Sequence, residues 1–80
     1  MVVKDAVVKR LLQVCTERRI VPNDLAVRSG VTPSTVYSLL QTERKDVSIT
    51  TVKKLCDGLG MSLSEFFDSG TFSGLEQEIK

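Results

Sequence analysis

The sequence contains no histidine and no tryptophan, and its aromatic residues are one tyrosine and three phenylalanines. Without histidine, the chain lacks the usual general base, the commonest metal ligand and any catalytic triad built on an imidazole. The carboxylates and lysines do not cluster in the way a catalytic site would require. The sequence therefore predicts a protein that is not an enzyme, and it implies no metal, no cofactor and no small-molecule ligand.

Cysteine is scarce, and long apolar runs are missing. Cys15 and Cys56 are not spaced like metal ligands, and two thiols do not make a disulfide framework. We expect both to be small apolar core residues in a reducing compartment, with a single disulfide or a redox switch as the alternative. No apolar stretch is long enough to span a bilayer, and no signal peptide precedes the first amphipathic segment. These absences predict a cytoplasmic protein without membrane contact.

The net charge of +1 is small, but the charges are unevenly distributed along the 80 residues. Residues 1–54 contain ten Lys/Arg and five Asp/Glu, which gives +5. Residues 55–80 contain one Lys/Arg and five Asp/Glu, which gives −4. A basic front and an acidic back suit a protein that presents one face to phosphates. The alternative is that these charges only keep the surface solvated.

Apolar residues recur at helical spacing, whereas strand-like alternation is never sustained. Pro22 suits the first turn of a helix, Gly30 suits a left-handed residue after a helix, and Thr32 suits an N-cap. Ser62 and Glu65 have the spacing of a capping box. The pattern predicts an all-α fold with five helices, at about residues 4–18, 22–29, 32–41, 48–59 and 63–68.

The predicted core consists of the apolar stripes of these helices, because a chain this short needs nearly all of its apolar residues to fold. We expect residues 1–68 to form one domain. Residues 69–80 form a tail that is expected to be partly mobile or to dock on the domain or on a partner through Phe72, Leu75 and Ile79. The expected core residues are Val7, Val8, Leu11, Leu12, Val14, Cys15, Leu25, Ala26, Val36, Leu39, Leu40, Ile49, Val52, Leu55, Cys56, Leu59, Phe66 and Phe67.

The segment from Leu25 to Leu39 has the pattern of a helix-turn-helix. Two short helices are separated by a turn at Gly30, with Val31 filling the corner. The small side chain of Ala26 allows the first of the two helices to approach its neighbour closely. The second helix then stands out with a polar side, and a protruding helix fits the major groove of B-DNA.

The stretch from Leu11 to Phe67, about seven tenths of the chain, resembles the Cro/CI-type helix-turn-helix family, also described as lambda-repressor-like or xenobiotic-response-element regulators. The matching features lie in the first helix, in the helix-turn-helix and in the last two helices. They are Leu11, Val14, Asp24-Leu25-Ala26, Ser29-Gly30-Val31-Thr32, Ser34-Thr35-Val36, Leu39, residues 48–60 and residues 62–67.

The resemblance implies a compact five-helix domain that binds double-stranded DNA as a transcriptional regulator. In this family the start of the third helix reads base edges, and the side chains that follow it bind phosphate. Arg28 could bind phosphate or pair with Asp24 one turn earlier. The positions that match base-facing residues are Thr32, Pro33, Ser34, Tyr37 and Ser38, and the phosphate-facing candidates are Gln41, Arg44, Lys45 and Arg28.

Three departures from the family pattern affect the expected DNA contacts. Pro22 and Pro33 stand where the family often has glutamines that contact phosphate and bases, and Thr42 stands where glycine is frequent. Proline has no side-chain hydrogen bond to offer, so bidentate base readers are missing. We therefore expect modest direct readout, with more weight on phosphates and DNA shape.

The resemblance also implies a homodimer on a two-fold symmetric site. The competing interpretation is a protein-interaction module on the same fold, antitoxin-like or adaptor-like, with weak DNA binding. In that case the apolar residues of the tail would form its docking surface.

Overall fold

The structure is a computed structural model that describes residues 1–41 and 46–79. Within these residues the fold is all-helical and contains no strand, so the predicted all-α class with five helices is confirmed. Each observed helix end lies within one residue of the predicted one. The elements are α1 (Val3–Arg18), α2 (Pro22–Ser29), α3 (Pro33–Leu40), α4 (Ile49–Leu59), α5 (Leu63–Phe67) and a short 3-10 helix (Gly70–Phe72).

Most helix ends are specified by their local sequence. The hydroxyls of Thr32 and Ser48 cap α3 and α4, each accepting a hydrogen bond from an amide three residues on. Gly30 and Gly60 end α2 and α4 in the left-handed conformation, with φ of 68° and 69°. The end of α1 has no such signal, since it is the non-glycine residue Arg19 that takes the left-handed conformation there, with φ of 55°.

The core lies between the five helices. Its largest apolar side chain is Phe66, which is 1% exposed and contacts Phe67 and Phe72 through its ring. Most of the expected core residues are buried, and Met61 joins them. Val8, Leu40 and Phe67 are only partly buried and pack against the edge of the core.

Two of the predicted core residues are exposed. Leu12 is 46% exposed, because the predicted stripe on α1 was too wide and this side chain lies on its flank. Ile49 is 61% exposed and is the first residue of α4, so its side chain lies at the end of the helix rather than over the core. The core is therefore smaller than the apolar pattern predicts.

Lys4 is 1% exposed, although it was not among the predicted core residues. It lies three and seven positions before the buried residues Val7 and Leu11, so helical spacing places it on the same face. Its Nζ donates a hydrogen bond of 2.6 Å to the backbone carbonyl of Gln41, directly after α3.

Two arginines of α1 bind the ends of other helices in a similar way. Arg10 donates from Nε to the carbonyl of Phe66 (2.7 Å) and from Nη2 to that of Glu65 (3.0 Å), both in α5. Arg18 donates to the carbonyl of Leu59, the last residue of α4. Cations near helix C-termini satisfy free carbonyls and oppose the negative end of the helix dipole. Together with Lys4, these side chains connect α1 to the ends of three helices.

The C-terminal segment contacts the start of the chain. The amide of Glu76 donates to the carbonyl of Met1 (3.1 Å), and a carboxylate oxygen of Glu78 accepts from the amide of Val3 (3.3 Å). The ring of Phe72 packs 4.8 Å from that of Phe67. No helix in the described part of the chain is both long enough and apolar enough to cross a membrane.

Candidate functional site

The position of α3 depends on α2, which packs against both α3 and α4. Ala26 is fully buried, and Val31 is partly buried at the corner between α2 and α3. The amide of Val31 donates to the carbonyl of Ala26 (3.1 Å), which closes the turn around Gly30. This short, closed turn fixes the direction of α3 relative to the rest of the domain.

One side of α3 is buried, and the other faces solvent. Val36 and Leu39 are 1% and 6% exposed, which attaches the helix to the core. The base-facing candidates lie on the opposite side, where Tyr37 is 50% exposed. Thr32, Pro33 and Ser34 are exposed as well, and Ser38 is half-buried.

The start of α3 is ordered by its own residues. The hydroxyl of Thr32 accepts from the amide of Thr35 (3.3 Å) and lies 3.0 Å from the hydroxyl of Thr35. Pro33 occupies the first helical position, where its fixed φ is already helical and its missing amide hydrogen is not needed. The exposed side chains at this end of α3 therefore extend from a well-determined backbone.

The chemistry of this face is that of hydroxyls. Ser34, Tyr37 and Ser38 each carry a hydroxyl that can donate and accept, and Pro33 adds a small apolar surface. Such groups can meet base edges and thymine methyls, but they lack the paired donors and acceptors of an arginine or an amide. Gln41 directly follows α3 and is exposed, and its side chain carries an amide group, which can both donate and accept.

Some of the basic residues in the range 1–54 bind groups within the domain, whereas others are exposed to solvent. Lys4, Arg10 and Arg18 bind backbone carbonyls within the domain, as described above, so they contribute to the fold. The excess of positive charge therefore overstates how many cations are free to meet phosphate. Arg28 is exposed at the end of α2, and within the described residues it forms no ion pair with Asp24.

Two phosphate-facing candidates, Arg44 and Lys45, lie outside the described residues, as does Thr42. The two that the structure does describe are Gln41, directly after α3, and Arg28, on the adjacent α2. No group of three or more His, Cys, Asp or Glu within the described part of the chain is arranged to hold a metal ion.

Burial alters the chemistry of the two cysteines. Both are free thiols with buried side chains. Desolvation raises the pKa of Cys15, and Arg18 opposes part of this effect. Desolvation, reinforced by Asp57, raises the pKa of Cys56. Neither thiol belongs to the solvent-facing side of α3.

Comparison with known proteins relates this arrangement to a described family. Residues 10–69 match the Cro/C1-type HTH DNA-binding domain. Among solved structures, the prophage Lp1 protein 11 superimposes with a TM-score of 0.75 and 32% sequence identity, over 82% of this chain and 87% of that one. A search of curated proteins gives no match. The matched residues include α2, the turn and α3 in full.

Proposed function

The chain belongs to the family of Cro/C1-type helix-turn-helix DNA-binding domains, and we propose that it regulates transcription by binding double-stranded DNA as a homodimer, with α3 in the major groove. Binding would act by occupancy, through blocking or recruiting polymerase at the bound site. The half-sites of the operator would lie about one helical turn apart, as the geometry of paired recognition helices requires.

The observation that carries this proposal is the solvent-facing side of α3. A helix whose start is ordered and whose solvent-facing side carries polar side chains fits the width of the major groove. Thr32, Pro33, Ser34, Tyr37 and Ser38 are the proposed base-facing residues. Because none of them offers a bidentate contact, we propose that sequence preference arises in large part from DNA shape.

Phosphate contacts would fix the register of α3 in the groove. Arg28 and Gln41 supply two of them, since both are exposed at the ends of the helices that form the motif. Arg44 and Lys45 follow Gln41 in the sequence and are proposed to bind the same strand. Such contacts release counterions, so the affinity should fall steeply as salt rises.

Ser34→Glu is the sharpest test, because the substitution brings a negative charge to the proposed interface without harming the fold. Ser34 is the second residue of α3, where a carboxylate is favourable near the positive end of the helix dipole. Ser64→Glu is a matched control, since Ser64 is exposed and is the second residue of α5. Both variants carry the same change of net charge in the same helical position.

Anisotropy of a labelled duplex from the region upstream of the protein's own gene, measured at two salt concentrations, gives the affinities. We expect the wild type and Ser64→Glu to bind with a steep salt dependence, and Ser34→Glu to lose binding. The emission of Tyr37, the one tyrosine in a chain without tryptophan, should change on binding. Equal binding by the two glutamate variants would reject α3 as the reading helix. A folded wild type that binds no duplex at low salt would reject DNA binding altogether.

The competing function, a protein-interaction module that uses the tail, has less exposed apolar surface available than the sequence indicates. Phe72 packs against Phe66 and Phe67, and Leu75 is half-buried. Of the three apolar residues of the tail, Ile79 is the one that is largely exposed, at 84%.

A further inference from the structure

We propose that Lys4 is a positioning residue for DNA binding. Its buried hydrogen bond fixes the end of α3, and its side chain does not itself touch DNA. This inference rests on the proposed function, because it assigns to Lys4 a role in holding the residue that follows the reading helix.

The burial of Lys4 distinguishes it from the other charged residues in the described part of the chain. Its side chain is 1% exposed, and no other charged side chain there is buried. Lysines are almost never fully buried without a partner, because removing the ammonium group from water is costly. The hydrogen bond of 2.6 Å to the carbonyl of Gln41 supplies that partner. A side chain so enclosed cannot reach a phosphate of bound DNA.

The end of α3 lacks the cap that the other long helices have. The helices α1, α2 and α4 end in left-handed residues, each of whose amides bonds two carbonyls of the last turn. After α3, Gln41 is extended (φ −73°, ψ 135°), and its amide bonds one carbonyl, that of Ser38. The charge of Lys4 therefore stabilises a helix end that its own sequence leaves incompletely capped.

The bond from Lys4 acts on residues of the proposed interface. Gln41 is a proposed phosphate contact, and Ser38, one turn earlier, is a proposed base contact. Holding the carbonyl of Gln41 fixes the direction in which its side chain leaves the helix, so the DNA contact is ordered before binding. Without Lys4, the last turn of α3 would fray, and DNA binding would have to order it again.

The part of α1 that carries Lys4 is itself held in place. Val2 precedes the helix and has no side chain that could cap it. Glu78 accepts a hydrogen bond from the amide of Val3, next to Lys4 in the chain. The C-terminal segment therefore provides the acceptor that the start of α1 lacks, and Lys4 extends from a fixed backbone.

Lys4→Met tests the inference, with Lys9→Met as its matched control. Methionine retains an unbranched apolar chain but no charge and no donor, so it removes the bond to Gln41. Lys9 lies on the same helix and is exposed, so its substitution removes the same charge without affecting that bond. Affinity for the labelled duplex is measured over a range of salt, together with amide hydrogen exchange in the free protein.

We expect Lys4→Met to bind about tenfold more weakly than Lys9→Met with an unchanged salt dependence, and to exchange the amides of Leu40 and Gln41 faster. Equal affinities of the two variants would overturn the inference. A salt dependence reduced by about 0.9 in the log–log slope would also overturn it, since that is the loss expected for a phosphate contact. Should Lys4→Met fail to fold, Lys4→Gln, which retains a donor on a shorter chain, is compared with Lys9→Gln in the same way.

Failure of the inference can be told apart from failure of the proposed function. A wild type that binds no duplex rejects the function, and hydrogen exchange at Gln41 in the free protein then still tests the bond from Lys4. A wild type that binds, together with Lys4→Met that binds equally well, rejects only the positioning role.

Discussion

The hydroxyl of Ser29 in α2 occupies the space into which a side chain on Gly58 of α4 would extend. A Cβ added at position 58 would lie 3.0 Å from both the amide nitrogen and the Cα of Ser29 and would overlap its hydroxyl oxygen. The two helices therefore pass each other backbone to backbone at this point. Since α2 also packs against α3, the contact between Ser29 and Gly58 helps to determine where α3 stands.

Gly58→Ala is expected to destabilise the domain by about 1–3 kcal/mol through overpacking, even though alanine is the better helix former. The free energy of unfolding, measured with urea, gives the change. Gly70→Ala is the matched control, because no atom of the described residues, apart from Gly70 itself and its two chain neighbours, lies within 4 Å of the added Cβ. Ser29→Ala removes a buried hydroxyl that has no hydrogen-bond partner among the described residues, so it should partly restore the stability that Gly58→Ala loses. A Gly58→Ala protein as stable as the wild type would contradict the close approach of the two helices.

Arg10→Met is expected to lower the free energy of unfolding by about 1–2 kcal/mol, because it removes two charge-assisted hydrogen bonds to carbonyls of α5. DNA affinity at a temperature where the variant is folded should stay that of the wild type, since Arg10 is bound within the domain. Thermal unfolding and duplex anisotropy measure the two effects. Lys54→Met, at an exposed site on α4, controls for the lost charge. A loss of affinity larger than that of the control would indicate that Arg10 contacts DNA.

Helix ends could be predicted from the sequence because their signals are local. The hydroxyl of Thr32, the ring of Pro33 and the missing side chain of Gly30 act on residues within one turn. The role of Arg10 could not be predicted, because its partner carbonyls lie 55 and 56 residues away. The burial of Lys4 had a signal in its helical spacing from Val7, which the usual preference of lysine for solvent obscured.

The solvent exposure of the candidate site could also be predicted in part from the sequence. The solvent-facing side of α3 follows from the apolar spacing of Val36 and Leu39, which assigns the remaining positions to the outside. The sequence left open whether Arg28 forms an ion pair with Asp24, and in the structure it does not. The resemblance supplies the roles of these residues toward DNA, and those roles stay predictions.

The capping box at the start of α5 makes the free energy of unfolding depend on pH in the acidic range. The Ser62 amide donates to the Glu65 carboxylate (3.0 Å), and this bond, with that from the Ser62 side chain, lowers the pKa of Glu65. The carboxyl therefore ionises more readily in the folded than in the unfolded chain. Its contribution to stability is complete above the unfolded-chain pKa of about 4.3 and is lost as the pH falls through the lower folded-state pKa.

Comparison of the wild type with Glu65→Gln by urea unfolding at several pH values measures this contribution. The wild type should be the more stable protein near neutral pH, and the difference should shrink as the pH is lowered through the acidic range. In a Ser62→Ala background the pH dependence of the difference should be weaker. A difference that stays constant with pH would show that ionisation of Glu65 does not stabilise the cap.

The cysteines should be unreactive while the protein is folded. Burial raises the pKa of both Cys15 and Cys56, and the thiolate is the reactive form. An aromatic disulfide reagent at neutral pH should label them slowly in buffer and rapidly in denaturant. Ser64→Cys, which adds a thiol at an exposed site, should give one immediate equivalent. Rapid labelling of the folded wild type would contradict the burial of the two thiols.

The bonds from α1 also determine how the chain can unfold. Lys4, Arg10 and Arg18 join residues that are 37 to 56 positions apart, so none of these bonds survives in a fragment that contains only the helix-turn-helix. Loss of α1 would remove at the same time the cationic partners of carbonyls at the C-terminal ends of α3, α4 and α5. Global unfolding is therefore expected to be a single cooperative transition, in which α3 and α1 melt together.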